Sequence, residues 1–171
     1  HSMEMDLNPV EYDQSKYKEY IFGSAEVVGL MCLKIFVYGS QEEYDKLKPY
    51  AMKLGSAFQK INFLRDLKDD IGDLGRLYFP HIGDGGIQPE DKLEIEIEIE
   101  KEFQEAYQGI KMLPKSSRLG VYVSYVYYTK LLAKIKEKTI KELMNKRIRI
   151  SDEKKLMLLF GSYVRNSVNA L

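Results

Sequence analysis

The sequence predicts an all-α fold, and three observations predict it. Apolar residues recur at three- and four-residue spacing over 16–38, 50–73 and 101–111. Residues that start helices stand before these runs: Asp13 or Ser15, Pro49, Pro89 with Glu90 and Asp91, and Ser116 or Ser117. Glycine or proline falls between them, at Gly39, Gly72, Gly75 and Pro114. With 171 residues and no linker or repeat, the chain reads as one domain, 1–171.

The elements are taken in chain order. Residues 1–15 read as an entry loop, and a helix runs from Lys16 to about Tyr38 with Gly23, Ala25 and Gly29 near one face. Small side chains there permit close approach of a second helix or of a flat hydrocarbon. Residues 42–48 read as a short polar connector. Pro49 suits the first turn of a long helix from about Tyr50 to Asp73. Residues 81–88, with Gly83, Gly85 and Gly86, read as a loop that can serve as a lid, and no phosphate-loop signature ends it. Leu93 to Ile99 alternates with period 2, as a strand does. Pro89 and its acidic neighbours instead start a helix over about 90–112, whose glutamates would face solvent. Ser116 or Ser117 then caps a tyrosine-rich helix to about Lys138, and Ser151 caps the last one.

Composition excludes several classes of function. Lys plus Arg equals Asp plus Glu at 26 each, so no global field points to nucleic acid. A single Cys32 rules out an internal disulfide and a cysteine-built zinc site, and His1 and His81 alone make no histidine metal cluster. No apolar run reaches membrane-spanning length and no secretory leader is visible, so a cytoplasmic setting is the expectation.

One stretch carries chemistry. On a helix, Asn62, Asp66 and Asp70 stack four apart, with Gln59 a turn earlier. Two carboxylates one turn apart repel, and either basic side chains or a hard divalent cation must offset that repulsion. The column therefore admits two readings. Lys60, Arg65, Lys68 and Arg76 can neutralise it as an ordinary solvated face. Alternatively it is half of a magnesium–diphosphate site, since Mg²⁺ bridges a few carboxylates to substrate phosphates. The amides favour the second reading, because Gln59 and Asn62 continue the column among apolar Phe58, Ile61, Phe63 and Leu64.

These residues carry a resemblance. Gln59, Asn62, Arg65, Asp66 and Asp70, followed by Gly75, Arg76, Tyr78, Phe79 and Pro80, resemble the second aspartate-rich region of the squalene and phytoene synthase family, the head-to-head prenyl transferases. Tyr20, Gly23, Ser24, Ala25, Val28, Gly29, Leu30 and Met31 resemble that family's preceding helix, and Met3 to Leu7 its opening segment. The resemblance implies an isoprenoid-synthase-type helical bundle, here partial, because the family's first aspartate-rich helix has no counterpart in the sequence. It implies condensation of two geranylgeranyl diphosphates to phytoene through a cyclopropyl diphosphate. A farnesyl-using squalene-type enzyme and a non-catalytic binding or assembly factor are the alternatives.

The resemblance also distributes roles. Asp66 and Asp70 would bind Mg²⁺, with Mn²⁺ as a substitute, and no NADPH is expected. Arg65 and Arg76 would hold diphosphate and Tyr128 would face the carbocation. Substrate would meet Tyr20, Phe22, Ala25, Val28, Gly29, Phe58, Gln59, Asn62, Tyr78 and Arg147. The fragment by itself is expected to be inactive. It should also self-associate through the apolar faces of helices 16–38 and 50–73. Peripheral contact with a membrane is compatible with greasy substrates.

Overall fold

The computed structural model describes residues 1–7, 12–80, 82 and 86–167. Among these every regular element is helical: α1 Ser2–Met5, α2 Gln14–Ile21, a π-helical turn Phe22–Glu26, α3 Val27–Phe36, α4 Gln41–Leu67, a second π-helical turn Lys68–Asp73, α5 Pro89–Met112, α6 Lys115–Lys136, α7 Ile140–Asn145 and α8 Asp152–Ser167. The expected all-α bundle is thus present. Residues 81 and 83–85, the heart of the expected lid loop, lie outside the described residues, as does Pro9 of the entry segment.

Local chemistry sets most of the boundaries. Asp13 Oδ1 accepts the Lys16 backbone N–H at 2.8 Å and starts α2. α2, the first π-helical turn and α3 continue one another up to Tyr38 and Gly39, where both residues take positive φ (53° and 77°). There the Gly39 N–H reaches back to the Lys34 carbonyl at 3.0 Å, closing the helix. Ser40 then starts α4 directly, its hydroxyl accepting the Glu43 N–H at 3.3 Å.

Four expectations are corrected here. Residues 42–48 are not a connector but the first turns of α4, and Pro49 sits inside that helix rather than at its start. The Ser40 cap and the acidic pair Glu42 and Glu43 begin the helix two turns before Pro49. Ser116 and Ser117 do not cap α6, which starts at Lys115 after Pro114. The Ser117 hydroxyl donates to the Pro114 carbonyl at 3.2 Å, and Ser116 meets the Tyr38 hydroxyl at 2.6 Å. α5 spans the expected range, yet its glutamates are not all solvated. Glu96 and Glu102 are buried, while Leu93 and Ile97 stand outside. A period-2 pattern laid on a 3.6-residue helix must send some members of each class to the wrong side, and the inward glutamates are paired. The Lys92 Nζ lies 2.5 Å from Glu96, and the buried Lys60 Nζ lies 2.8 Å from Glu98 and 2.9 Å from Glu102. The fourth correction concerns exposed apolar surface. The apolar side of α4 is buried, whereas α3 exposes Val28, Met31 and Ile35, and α8 exposes Leu156, Met157 and Phe160.

α4 is the central helix and packs most extensively on α5. The main core gathers around Ile61, Leu64, Ile99, Leu131, Ile135 and Leu143, all essentially inaccessible to solvent. A smaller core of Leu33, Val37, Leu47 and Leu113 lies at the other end of α4. Among the described residues no helix is long and apolar enough to cross a membrane.

Candidate active site

A cavity of about 590 Å³ is lined by α3, α4, α5, α6 and the first π-helical turn. Its floor is the smaller core, through Leu33, Leu47 and Leu113, its polar end, here the mouth, is formed by Gln59, Asn62 and Tyr128, and its side is open where Val28, Cys32 and Gly120 are exposed. Ala25, Val28, Gly29 and Phe58 line the walls. Seven of the expected substrate and cation-facing residues therefore share one space. The Tyr128 ring stacks on Phe58 with centroids 3.9 Å apart and an 18° interplanar angle. Its hydroxyl donates to Asn62 Oδ1 at 3.2 Å, which fixes the ring at the border between amide and apolar wall.

The walls offer a ligand very little to hydrogen-bond. Ser24 donates to the Tyr20 carbonyl at 2.7 Å and Ser124 to the Gly120 carbonyl at 3.1 Å. With Ser117 likewise turned onto Pro114, these hydroxyls are spent on backbone carbonyls and present their carbon side to the cavity. Such a space suits hydrocarbon.

Beyond the mouth stand the charged groups. Asp66 is gripped from two sides. Arg65 donates from Nε to Oδ1 at 2.9 Å and from Nη2 to Oδ2 at 2.6 Å. Arg147, carried there by the extended segment after α7, places Nε 2.7 Å from Oδ1 and Nη2 3.3 Å from Oδ2. The Arg65 guanidinium is held further above its ordinary value by its hydrogen bonds to Asp66. Of the two arginines around 148, Arg147 is the one that faces the column; the Arg149 carbonyl accepts Lys134 Nζ at 2.6 Å.

Asp70 has the opposite situation. It lies in the second π-helical turn, half-buried, and no hydrogen bond or ion pair holds its carboxylate among the described residues. Burial first, and then the negative charge of Asp66, push its carboxyl up to about 6, with Arg76 opposing them. Among the described residues no group of three or more acidic, histidine or cysteine side chains forms a self-sufficient metal cage. The donors fit a different kind of site: the Asp70 carboxylate with no direct partner, the arginine-held Asp66 carboxylate, and amide oxygens beside them suit a hard cation that takes its remaining ligands from water and a substrate phosphate.

The remaining expected residues go elsewhere. Tyr20 and Tyr78 sit with Tyr12 and Phe63 in a buried aromatic cluster, Phe63 stacking on Tyr78 at 4.3 Å, and neither tyrosine lines the cavity. Their hydroxyls donate to the two oxygens of Asp6, at 3.0 Å from Tyr20 and 2.9 Å from Tyr78. Burial raises both phenols above their ordinary value. Phe22 is exposed at the start of the π-helical turn and does not line the cavity. Arg76 is held by Asp6, a partner that the sequence reading did not name. Its Nη2 donates to the Asp6 carbonyl and its Nη1 lies 3.9 Å from the Asp6 carboxylate. Asp6 is thus the site-supporting residue that sequence reasoning passed over as a site. Its only signal was its place in the Met3–Leu7 opening, since its partners are 14 and 72 residues away in the chain.

The all-α bundle thus combines an apolar cavity with amides at one end and guanidinia and carboxylates beyond them. Comparison with known proteins adds to this. A family model described as squalene/phytoene synthase matches residues 1–82. Over 97% of its length the chain is 30% identical to phytoene synthase 1, chloroplastic, of Solanum lycopersicum, covering 44% of that protein. It is 29% identical over 97% of its length to phytoene synthase 2, chloroplastic, of the same plant, covering 59%, and to phytoene synthase, chloroplastic, of an Oncidium hybrid cultivar, covering 44%. Residues 1–82, just under half of the chain, are thus similar to squalene/phytoene synthases, and nearly the whole chain is similar to part of the phytoene synthases. The chain spans about half the length of the curated relatives it matches.

Proposed function

We propose that this chain supplies the hydrocarbon-binding wall and one half of the diphosphate site of a head-to-head prenyl transferase of carotenoid biosynthesis. The observation that carries the reading is the cavity itself, an apolar space that opens through Gln59, Asn62 and Tyr128 onto Asp66, Asp70 and Arg147. The substrates are two allylic prenyl diphosphates. Geranylgeranyl diphosphate would give phytoene through a cyclopropyl diphosphate, with no reductant required.

The residues divide the work. Heterolysis of the allylic carbon–oxygen bond sends the electron pair to the leaving diphosphate. Arg65 and Arg147, already oriented on the column, donate charge-assisted hydrogen bonds to that leaving group. Arg76 adds positive potential beside Asp70. Mg²⁺, or Mn²⁺ in its place, held by Asp66 and Asp70, would supply Lewis-acid stabilisation of the same charge. Asn62 and Gln59 orient the head group at the mouth. The stacked Phe58 and Tyr128 rings face the cation left behind, and walls whose hydroxyls are internally bonded give water few groups to hold it there.

A second reading, a diphosphate-binding factor without turnover, is favoured by one observation: both oxygens of Asp66 are occupied by guanidinia. In either case the isolated chain is expected to be inactive. Mass spectrometry of products from geranylgeranyl or farnesyl diphosphate with Mg²⁺, comparing the chain with an upstream-extended form, tests the proposal. Phytoene or its C30 counterpart from the extended form supports the transferase. Diphosphate binding without product supports the binding factor.

A further inference from the structure

Four glycines line the cavity: Gly29, Gly55, Gly109 and Gly120. A glycine inside a helix is less stable there than alanine, so each calls for a reason. Three have one in helix packing. A Cβ on Gly29 would stand 3.1 Å from the Ala51 carbonyl oxygen, and one on Gly55 would stand 2.8 Å from that of Ala25. A Cβ on Gly109 would run into the Tyr50 side chain. Gly120 has no such reason, since a Cβ there meets nothing within 4 Å and its φ is not positive. Gly120 is exposed, and the space in front of it is the open side of the cavity.

Gly120 lies between Ser117 and Ser124 on the same wall of α6, with Tyr128 at the mouth and Leu113 at the floor. Tyr128 and Gly120 are eight residues apart, about 12 Å along the helix. The head-proximal isoprene units of a chain entering past Tyr128 stay on the mouth side. Only its distal units reach Gly120. We propose that Gly120 is a specificity-determining residue: its missing side chain holds open the part of the cavity that the distal isoprene units of a long prenyl chain occupy. The proposal rests on the prenyl reading above.

The test compares Gly120→Ala, Gly120→Leu and, as a control, Gly161→Ala. Gly161 lies on α8, away from the cavity, and a Cβ there also meets nothing within 4 Å. Melting temperatures and calorimetric titrations with geranyl, farnesyl and geranylgeranyl diphosphate, each with Mg²⁺, are the readouts. Both alanine variants should melt about 2 °C higher than the parent chain, the gain of a better helix former at an unhindered site. Gly120→Leu should weaken geranylgeranyl diphosphate by about tenfold, farnesyl less, and leave geranyl unchanged. Gly161→Ala should leave all three affinities unchanged.

A lower melting temperature in Gly120→Ala would show a packing role and overturn the proposal. So would a loss in Gly120→Leu that is equal for all three chain lengths, or no loss at all. If the parent chain binds none of the three, the prenyl reading falls and this assignment with it. Binding by the parent that the variants leave intact overturns the assignment alone.

Discussion

Lys60 is the position where a single substitution should disturb the site-bearing helix most. Its ammonium is buried, 3% exposed, between Glu98 at 2.8 Å and Glu102 at 2.9 Å. Glu102 is buried as well. It receives the Ser56 hydroxyl at 3.0 Å and has Lys53 at 3.6 Å, while its Oε2 has no partner. Lys60→Met keeps the length of the side chain and removes the charge, leaving Glu102 with a hydroxyl and one half-exposed lysine. Breaking a buried pair from one side costs about 3–5 kcal/mol, because the remaining charge loses both its partner and its water. Lys53 and Ser56 offset part of this, so about 3 kcal/mol is the expected loss. For a chain of this length that corresponds to a fall of roughly 6–12 °C in melting temperature. The double variant Lys60→Met with Glu102→Leu removes both charges and should recover most of the loss. Urea denaturation of the four proteins of the cycle gives the coupling directly. A single variant within about 0.5 kcal/mol of the parent, the range of ordinary surface substitutions, would refute the reasoning, and so would a double variant less stable than the single one.

Four further outcomes are expected. Asp6→Ala removes the acceptor of two buried phenols and a partner of Arg76, and urea titration should show a loss of about 2–4 kcal/mol; an unchanged midpoint would contradict the supporting role of Asp6. Asp70 is more acidic in the unfolded chain, near 3.8, than in the fold, where it titrates at about 6. The folded state therefore binds the extra proton between those values, and stability should fall as pH rises from about 4 to 6; Asp70→Asn should remove that slope in pH-dependent melting. Arg147→Gln frees one side of Asp66, and Mg²⁺ titrated into the chain calorimetrically should bind about fivefold tighter, the effect of roughly 1 kcal/mol of lost competition; equal affinity would argue against a shared cation site. The chain should self-associate through the exposed apolar residues of α3 and α8, so light scattering should report a dimer or larger species that Ile35→Lys or Phe160→Lys weakens; a monodisperse monomer would refute this.

The features legible in the sequence are those set by short-range interactions. Periodicity and caps are local, so the helix over 90–112 and the break at Gly39 could be read from neighbouring residues. The expected cavity residues also share local stretches, Ala25 to Gly29 on one helix and Phe58 to Asn62 on another. That Arg147 and not Arg149 faces Asp66 is a different matter. It depends on how an extended segment after α7 lies against α4, 81 residues earlier in the chain. Asp6, Tyr20 and Tyr78 were illegible for the same reason: a tyrosine inside a family motif looks the same whether its ring faces substrate or its hydroxyl anchors a distant carboxylate.

The two π-helical turns show why helix periodicity alone misplaces a site. Each inserts an i→i+5 turn and shifts the phase of the residues C-terminal to it. The first, at Phe22–Glu26, lies between exposed Phe22 and Ala25, which sits against Gly55 on the cavity wall. The second, at Lys68–Asp73, takes over just after Asp66, so Asp66 belongs to regular α4 and Asp70 does not. A straight helix would stack the two carboxylates and offer both to the same counter-charges. Instead Asp66 receives the guanidinia of Arg65 and Arg147, while Asp70, half-buried, has only the more distant charge of Arg76 to offset burial and the charge of Asp66. The difference between a neutralised carboxylate and a poised one, which is the difference between a solvated face and half of a cation site, is therefore set by a backbone irregularity rather than by the spacing of the aspartates.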